Sequence, residues 1–303
     1  MSTDATDTAY ETDEQAEQQP LPLITDILNL EQLEVDIFRG LSPDEDLQRV
    51  FGGQVAGQAL VAAGRTVPAD RPVHSLHAYF LRPGDPTIPI IYTVDRIRDG
   101  RSFSTRRVIA VQHGKAIFAL SASFHIVEEG AEHQFPMPDA PPPESVPLWQ
   151  ARLREFGDRV PARWLRPRPV EVRYVGGPPW AERDPDAAAD ASTMVWMRAS
   201  GPLPDDPLVH VCAAAYASDM TLLDSVLIAQ RLAWAEDSVT GASLDHAMWF
   251  HAPFRADDWL LYVQEAPATS GARGLARGHI YRRDGRLAIS VVQEGLIRAR
   301  RSG

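Results

Sequence analysis

Apolar and polar positions divide the chain into two series of elements that follow the same order. In the first, "QLEVDIFRG" (32–40) is strand-like. "FGGQVAGQALVAAGRTV" (51–67) has the spacing of a helix, opened by a glycine pair and filled with small residues. Four strands follow: "HSLHAYFLRPGD" (74–85), "IPIIYTVDRIRDG" (88–100), "RSFSTRRVIAVQHG" (101–114) and "KAIFALSASFHIV" (115–127). The last three alternate or run through β-branched and aromatic residues, with glycine at the turns.

The second series begins with strands at "VEVRYV" (170–175) and "TMVWMRAS" (193–200). "LVHVCAAAYASDMTLLDSVLIAQ" (208–230) is apolar at helical spacing. Four strands then close the chain: "ASLDHAMWFHAP" (242–253), "DWLLYVQEAPATSG" (258–271), "ARGLARGHIYRRDG" (272–285) and "RLAISVVQEGLIR" (286–298). Gly114 matches Gly285, and "SLHAYF" matches "SLDHAMWF". A helix that is apolar all round must be buried, so each sheet is expected to wrap around its helix. Two such units side by side would form one continuous sheet, each covering an edge strand of the other. The pattern alone predicts an α+β fold with a pseudo-twofold between halves. The proline-rich stretch "HQFPMPDAPPPESVP" (133–147) reads as a linker. The expected organisation is a tail over 1–22, a first repeat over 23–130, a linker over 131–165 and a second repeat over 166–300.

Composition narrows the setting. At 44% hydrophobic over 303 residues, the chain can bury a sizeable core, and its single cysteine, Cys212, forbids an internal disulfide. No apolar run approaches the ~20 residues that cross a bilayer. The first residues lack the basic and apolar regions of a signal peptide. The final Arg301-Ser302-Gly303 is not a peroxisomal tripeptide. A cytoplasmic protein without membrane insertion is expected. The net charge is −11, and residues 1–19 hold six acidic residues and no Lys or Arg. That tail reads as disordered, and the mildly acidic body argues against a nucleic-acid partner.

Several familiar sites fail. Gly241-Ala242-Ser243-Leu244-Asp245 starts like a nucleophile elbow but lacks the final glycine, and it enters a strand where an elbow leaves one for a helix. His246 and His251 are five apart, which is not a zinc spacing, and an odd interval on a strand points them to opposite faces. "GARGLARG" (271–278) has the wrong glycine spacing for a dinucleotide loop. No metal site is expected. Asp219 stands within the apolar helical stretch and Gln293 within an Ile/Val-rich strand, both costly places for a polar group without partners. Asp219 reads equally as a capping residue, and Gln293 as a structural hydrogen-bonding amide. A carboxylate, a hydroxyl and an amide brought together would hold and polarise a water; composition does not establish that they meet.

Nine stretches carry a resemblance to a known family: "FRG" (38–40), "VFGGQVAGQAL" (50–60), "HSLHAYFLRPGD" (74–85), "RDGRSFSTRRV" (98–108), "YASDMTLL" (216–223), "LDHAMWFHAPF" (244–254), "WLLY" (259–262), "ARG" (272–274) and "VQEGLIR" (292–298). Over residues 28–299 the chain resembles the acyl-CoA thioesterase II family, which has a double hotdog fold. The resemblance implies an acyl-CoA hydrolase whose triad falls on Asp219, Ser243 and Gln293. Serine stands where many bacterial members carry threonine, and the hydroxyl is kept. It implies fatty acyl-CoA hydrolysed by an activated water without a covalent intermediate, no cofactor, and a homodimer or higher homo-oligomer. The first half has "GGQVAG" (52–57) and "LSASF" (120–124) in the matching places, so one site per chain is expected, built mainly from the second half.

Candidate substrate-binding groups are Gly53 and Gln54 at the helix start, His74, Asp245, and arginines for the CoA phosphates, Arg101 and Arg273 first, with Arg106 and Arg277. Each arginine reads equally as a solvated strand charge. His74 and His77 are the histidine alternatives for a base. Asp245, two residues after Ser243, is expected on the same face of the strand. The rival readings are a hotdog hydratase, which would need an aspartate–histidine pair, and a non-catalytic acyl-CoA-binding protein, which would lack the polar triad.

Overall fold

A computed structural model describes residues 23–43, 48–157, 160, 164–176, 192–234 and 239–299; the acidic tail lies outside the described residues. The elements of the first half are α1 (Ile24–Ile27), β1 (Glu31–Glu34), β2 (Ile37–Gly40), α2 (Gly52–Gly64), β3 (Val73–Phe80), β4 (Ile90–Asp99), β5 (Phe103–Gln112) and β6 (Lys115–His125). A short helix, α3 (Trp149–Arg154), lies in the connection. The second half has β7 (Val170–Val175), β8 (Ser192–Ala199), α4 (Pro207–Ser218), α5 (Asp224–Gln230), β9 (Val239–Ser243), β10 (Asp245–Phe250), β11 (Leu260–Ser270), β12 (Arg273–Arg282) and β13 (Leu287–Ala299).

Among the described residues the strands form one antiparallel sheet, in the order β1-β2-β4-β5-β6-β3-β10-β13-β12-β11-β8-β7, with β9 paired to β13. The run β2-β4-β5-β6-β3 and the reversed run β8-β11-β12-β13-β10 have the same internal order. They meet where β3 pairs with β10, Tyr79 opposite Asp245 and Ser75 opposite Trp249. The matched turn glycines Gly114 and Gly285 both take positive φ, +70° and +84°, the left-handed region that suits glycine.

The sheet curves around α2 and α4, which pack on each other. Small residues make this approach feasible. A Cβ on Gly53 would lie 2.3 Å from the Tyr216 carbonyl oxygen, and one on Gly57 would lie 3.1 Å from that of Cys212. Alternation along β5 and β6 sends Val108, Ala110, Phe118, Leu120 and Ala122 inward to this core. The connection covers the outer face of the second half. Trp196 donates to the Pro141 carbonyl (2.8 Å) and packs with Val146, Trp259 and Leu261.

Three expected elements are divided. The strand expected over 32–40 is a hairpin, β1–β2, turning at Asp36 with φ +60°. The helix expected over 208–230 stops at Ser218, and the chain turns through Met220–Leu223 before α5. The strand expected over 242–253 is broken at Leu244. Ser243 faces Gly295 while Ala247 faces Val292, so four steps on this strand span three on β13. That is a bulge of one residue.

Candidate active site

The break after α4 positions Asp219. It is the C-cap residue of that helix, with φ −84° and ψ −6°, where the negative end of the helix dipole disfavours a carboxylate. The N-terminus of α2 compensates from the other side, since the Gly53 backbone N–H donates to the Asp219 carboxylate. Gly52 also abuts it: a Cβ there would lie 2.6 Å from Asp219 Oδ2. The glycine pair is thus a seat for the carboxylate.

Ser243 and Gln293 complete the cluster. Ser243 Oγ donates to Asp219 Oδ1 (3.0 Å). Gln293 Nε2 donates to Asp219 Oδ1 (2.8 Å) and to Ser243 Oγ (2.7 Å). Gln293 is fully buried, on the inner face of β13, and Ser243 ends β9 opposite Gly295. Burial pushes the Asp219 pKa up; the hydrogen bonds from Gln293, Ser243 and Gly53 oppose it. Asp219 and Ser243 open onto a cavity of about 880 Å³. Its walls come from both halves: Phe51, Phe80 and Phe118 from the first, Met220, Leu223 and Trp234 from the second.

The other expected groups fare differently. Gln54 is buried and its amide is spent on the Leu41 carbonyl (3.2 Å) and Ser42 Oγ (3.0 Å), so it is a structural tie and not part of the cavity wall. His74 bonds Ser123 Oγ (2.8 Å), near the end of β3 away from the pairing with Asp245, and burial lowers its pKa. His77 is exposed, edge-on to Trp249 at 5.2 Å. Asp245 is not on the face of Ser243. The bulge at Leu244 turns it outward, and it accepts from the Glu294 backbone N–H (2.8 Å). Arg101 is exposed in the β4–β5 turn, where its carbonyl accepts from Arg71 (3.2 Å). Arg273 pairs with Glu294 (3.0 Å) and Arg277 with Glu265. Arg106 is fully buried against Asp99 (2.8 Å) and Thr66 (2.8 Å). None of these four arginines lines the cavity.

Four groups at or beside the cavity were not picked out from sequence. Arg49 and Arg82 stand exposed in its wall. Arg49 donates to the Gly241 carbonyl (2.8 Å) and Arg82 to that of Ala116 (2.6 Å), and neither has a carboxylate partner among the described residues. Asp224 is a second buried carboxylate in the wall, accepting from Tyr174 Oη (2.6 Å) and Trp234 Nε1 (3.2 Å). Burial pushes it up to about 7, against those two hydrogen bonds. His246 is buried behind the cluster, with Nδ1 2.9 Å from Gln293 Oε1. His246 and Met248 share the buried face of β10, and the long-range register with β13 brings His246 to Gln293.

A continuous antiparallel sheet around two central helices, with a polar cluster between the halves, defines a double hotdog protein. The fold is shared with a hot dog fold protein of unknown function from Alicyclobacillus acidocaldarius (TM-score 0.73, 24% identity, 91% of this chain and 98% of that one). The chain belongs to the acyl-CoA thioesterase family. Its "acyl-CoA thioesterase" profile matches residues 177–296 and its "acyl-CoA thioesterase N-terminal domain" profile matches 42–125. Acyl-coenzyme A thioesterase 8 of Mus musculus is 45% identical over 91% of this chain and 89% of its own. Acyl-CoA thioesterase 2 of Haemophilus influenzae is 39% identical over 90% and 96%. The crystal structure of an acyl-CoA thioesterase II from Mycobacterium marinum aligns with a TM-score of 0.75 at 47% identity, covering 92% of this chain and all of that one. Among the described residues no helix is long and apolar enough to cross a membrane.

Proposed function

We propose that the protein hydrolyses fatty acyl-CoA thioesters to a free acid and CoA through a water activated by Asp219, Ser243 and Gln293. The observation that carries this reading is the mutual hydrogen bonding of the three groups, with Asp219 and Ser243 at the wall of a large, mainly apolar-walled cavity and Gln293 buried behind them. Residues 23–130 and 166–300 are the two repeats, and 131–165 joins them.

Asp219 Oδ1 already receives two hydrogen bonds, which leaves Oδ2, beside Gly52, to take a proton. A water that gives one hydrogen to Oδ2 and the other to Ser243 Oγ turns its lone pair toward the thioester carbonyl. Attack forms the C–O bond as Asp219 takes the water proton, and negative charge collects on the carbonyl oxygen. The N-terminal end of α2 supplies a favourable field for that charge. Collapse breaks the C–S bond, and the departing thiolate recovers the proton from Asp219. Burial raises the Asp219 pKa, which makes it a stronger base than an ordinary carboxylate and suits a group that accepts a proton from water and returns it. No nucleophilic side chain is needed. The aromatic and aliphatic cavity walls suit an acyl chain, and Arg49 and Arg82 suit the CoA phosphates.

Thiol release from acyl-CoAs of graded chain length tests the reading. The wild type is expected to release free CoA, and Asp219→Asn to lose roughly 100-fold or more in kcat. A wild type that cleaves no acyl-CoA would end the hypothesis; a fully active Asp219→Asn would end the assignment of the base.

A further inference from the structure

We infer that His246 is a positioning residue, a neutral imidazole whose Nδ1–H locks the Gln293 amide in the one orientation that serves Asp219 and Ser243. This rests on the hydrolytic reading above for its consequence, though not for its geometry.

Hydrogen-bond polarity is fixed outward from the carboxylate. An ionised Asp219 only accepts, so the Gln293 atom 2.8 Å from its Oδ1 must be the amide nitrogen. The two amide hydrogens are then spent on Asp219 and on Ser243 Oγ. The other end of the amide, Oε1, can only accept. It lies 2.9 Å from His246 Nδ1, which must therefore carry a hydrogen. Beyond the ring, His246 Nε2 lies 2.9 Å from Ser218 Oγ. That hydroxyl also lies 3.0 Å from the Ala215 carbonyl and 3.5 Å from Met248 Sδ, a weak acceptor, so its single hydrogen has a choice of acceptors. If it went to Ala215, Nε2 would have to donate to Ser218. Nδ1 would then face Gln293 Oε1 either bare, two acceptors opposed, or on a charged ring.

Charge on the ring is disfavoured. His246 is 1% exposed, and burial holds its pKa below the ordinary histidine value, with Asp219, Gln293 and Asp245 opposing. The consistent arrangement is a one-way chain. Ser218 donates to His246 Nε2, His246 Nδ1 donates to Gln293 Oε1, and Gln293 donates to Asp219 and Ser243. Alternation on β10 sends His246 and Met248 inward, and the pairing of Ala247 with Val292 places His246 beside Gln293. Remove the Nδ1 donor and Oε1 loses its only partner among the described residues. The amide is then free to turn its oxygen toward Asp219, which would repel the carboxylate and release Ser243.

Two measurements decide this. The first is 15N NMR of histidine-labelled wild type, which reads the tautomer directly and needs no substrate. His246 is expected with the hydrogen on Nδ1 and Nε2 bare. The opposite tautomer, or an imidazolium at neutral pH, overturns the proposal whatever the enzyme hydrolyses.

The second is a kcat and KM comparison of His246→Phe and His246→Asn. Phe fills a similar volume without a donor; Asn offers an N–H near the Nδ1 position. His246→Phe is expected to lower kcat roughly 100-fold with KM changed less than about 3-fold, the size of effect that a displaced reacting group produces. His246→Asn is expected to recover at least about tenfold of that loss, on the same scale. A folded His246→Phe with wild-type kcat, or a His246→Asn no better than Phe, overturns it. If His246→Phe does not fold, the tautomer decides and His246→Asn is read against wild type: kcat within about tenfold is expected, and a loss of roughly 100-fold overturns the proposal. A wild type that shows the expected tautomer but cleaves no acyl-CoA refutes the hydrolytic reading alone.

Discussion

Gly52→Ala is a one-methyl test of whether Asp219 must sit where it does. The added Cβ would lie 2.6 Å from Asp219 Oδ2 and 2.8 Å from Phe80 Cε1. Ordinary contact begins near 3.4 Å, so the carboxylate must retreat by about 0.8 Å (3.4 less 2.6) or the start of α2 must move with it. Alanine at the first turn of a helix is otherwise welcome, and replacing glycine stabilises by about 0.4–1 kcal/mol where the backbone allows. The clash and this gain oppose each other, so stability should stay within about 1 kcal/mol of wild type. Chemistry should not be spared. A displacement on this scale costs on the order of 100-fold in rate, and it falls on the oxygen proposed to accept the proton. Steady-state thiol release and urea denaturation of the same preparation separate the two effects. A Gly52→Ala protein that folds normally and keeps kcat within about 3-fold of wild type, well under the loss expected for such a shift, would refute the placement of the base at Asp219 Oδ2.

The remaining predictions concern charge. Asp224 keeps its proton up to about 7 in the fold, against 3.8 in the unfolded chain. A raised acid pKa makes stability fall as pH rises from about 4 to about 7, by about 4 kcal/mol for a shift of that size. Asp224→Asn, which cannot titrate, should remove this share of the slope; identical slopes by urea denaturation between pH 4.5 and 8 would refute it. Arg49→Ala and Arg82→Ala should each raise KM for acyl-CoA about tenfold, the worth of a hydrogen bond to a charged group. The effect should shrink in high salt and vanish with an acyl-pantetheine thioester, which lacks the nucleotide phosphates. An equal effect on both substrates would remove these arginines from phosphate recognition.

The periodicity and turn glycines made the two meanders legible, and the positive φ at Gly114 and Gly285 shows why those positions are glycine. The approach of Asp219, Ser243 and Gln293 was legible only through resemblance, since they lie on three elements far apart in sequence. Two local features were not legible. Residues 208–230 stay apolar at helical spacing through Asp219, with no proline or glycine to mark a stop. The helix ends there while tertiary partners, Gln293, Ser243 and the start of α2, hold the carboxylate. The bulge at Leu244 was equally silent, because a two-residue interval was read as one face. It reversed the roles of neighbours, turning Asp245 outward while Ser243 and His246 share the inner side. Arg106 misled for a related reason. Its guanidinium is buried by Asp99 and Thr66, which strand spacing cannot reveal.

The seam between β3 and β10 has a consequence for biosynthesis. On the ribosome one edge of β3 is taken once β6 has emerged, and the other must wait for β10, whose first residue lies 165 positions after Phe80 (245 less 80). Throughout that interval the nascent first half offers an open row of backbone donors and acceptors, a template for any extended chain nearby. A message truncated before residue 245 would therefore leave a fragment whose free edge is matched by the same edge of a second fragment, so premature termination should yield paired first halves. The full chain avoids this by carrying its own partner, at the cost of a slow, long-range closure.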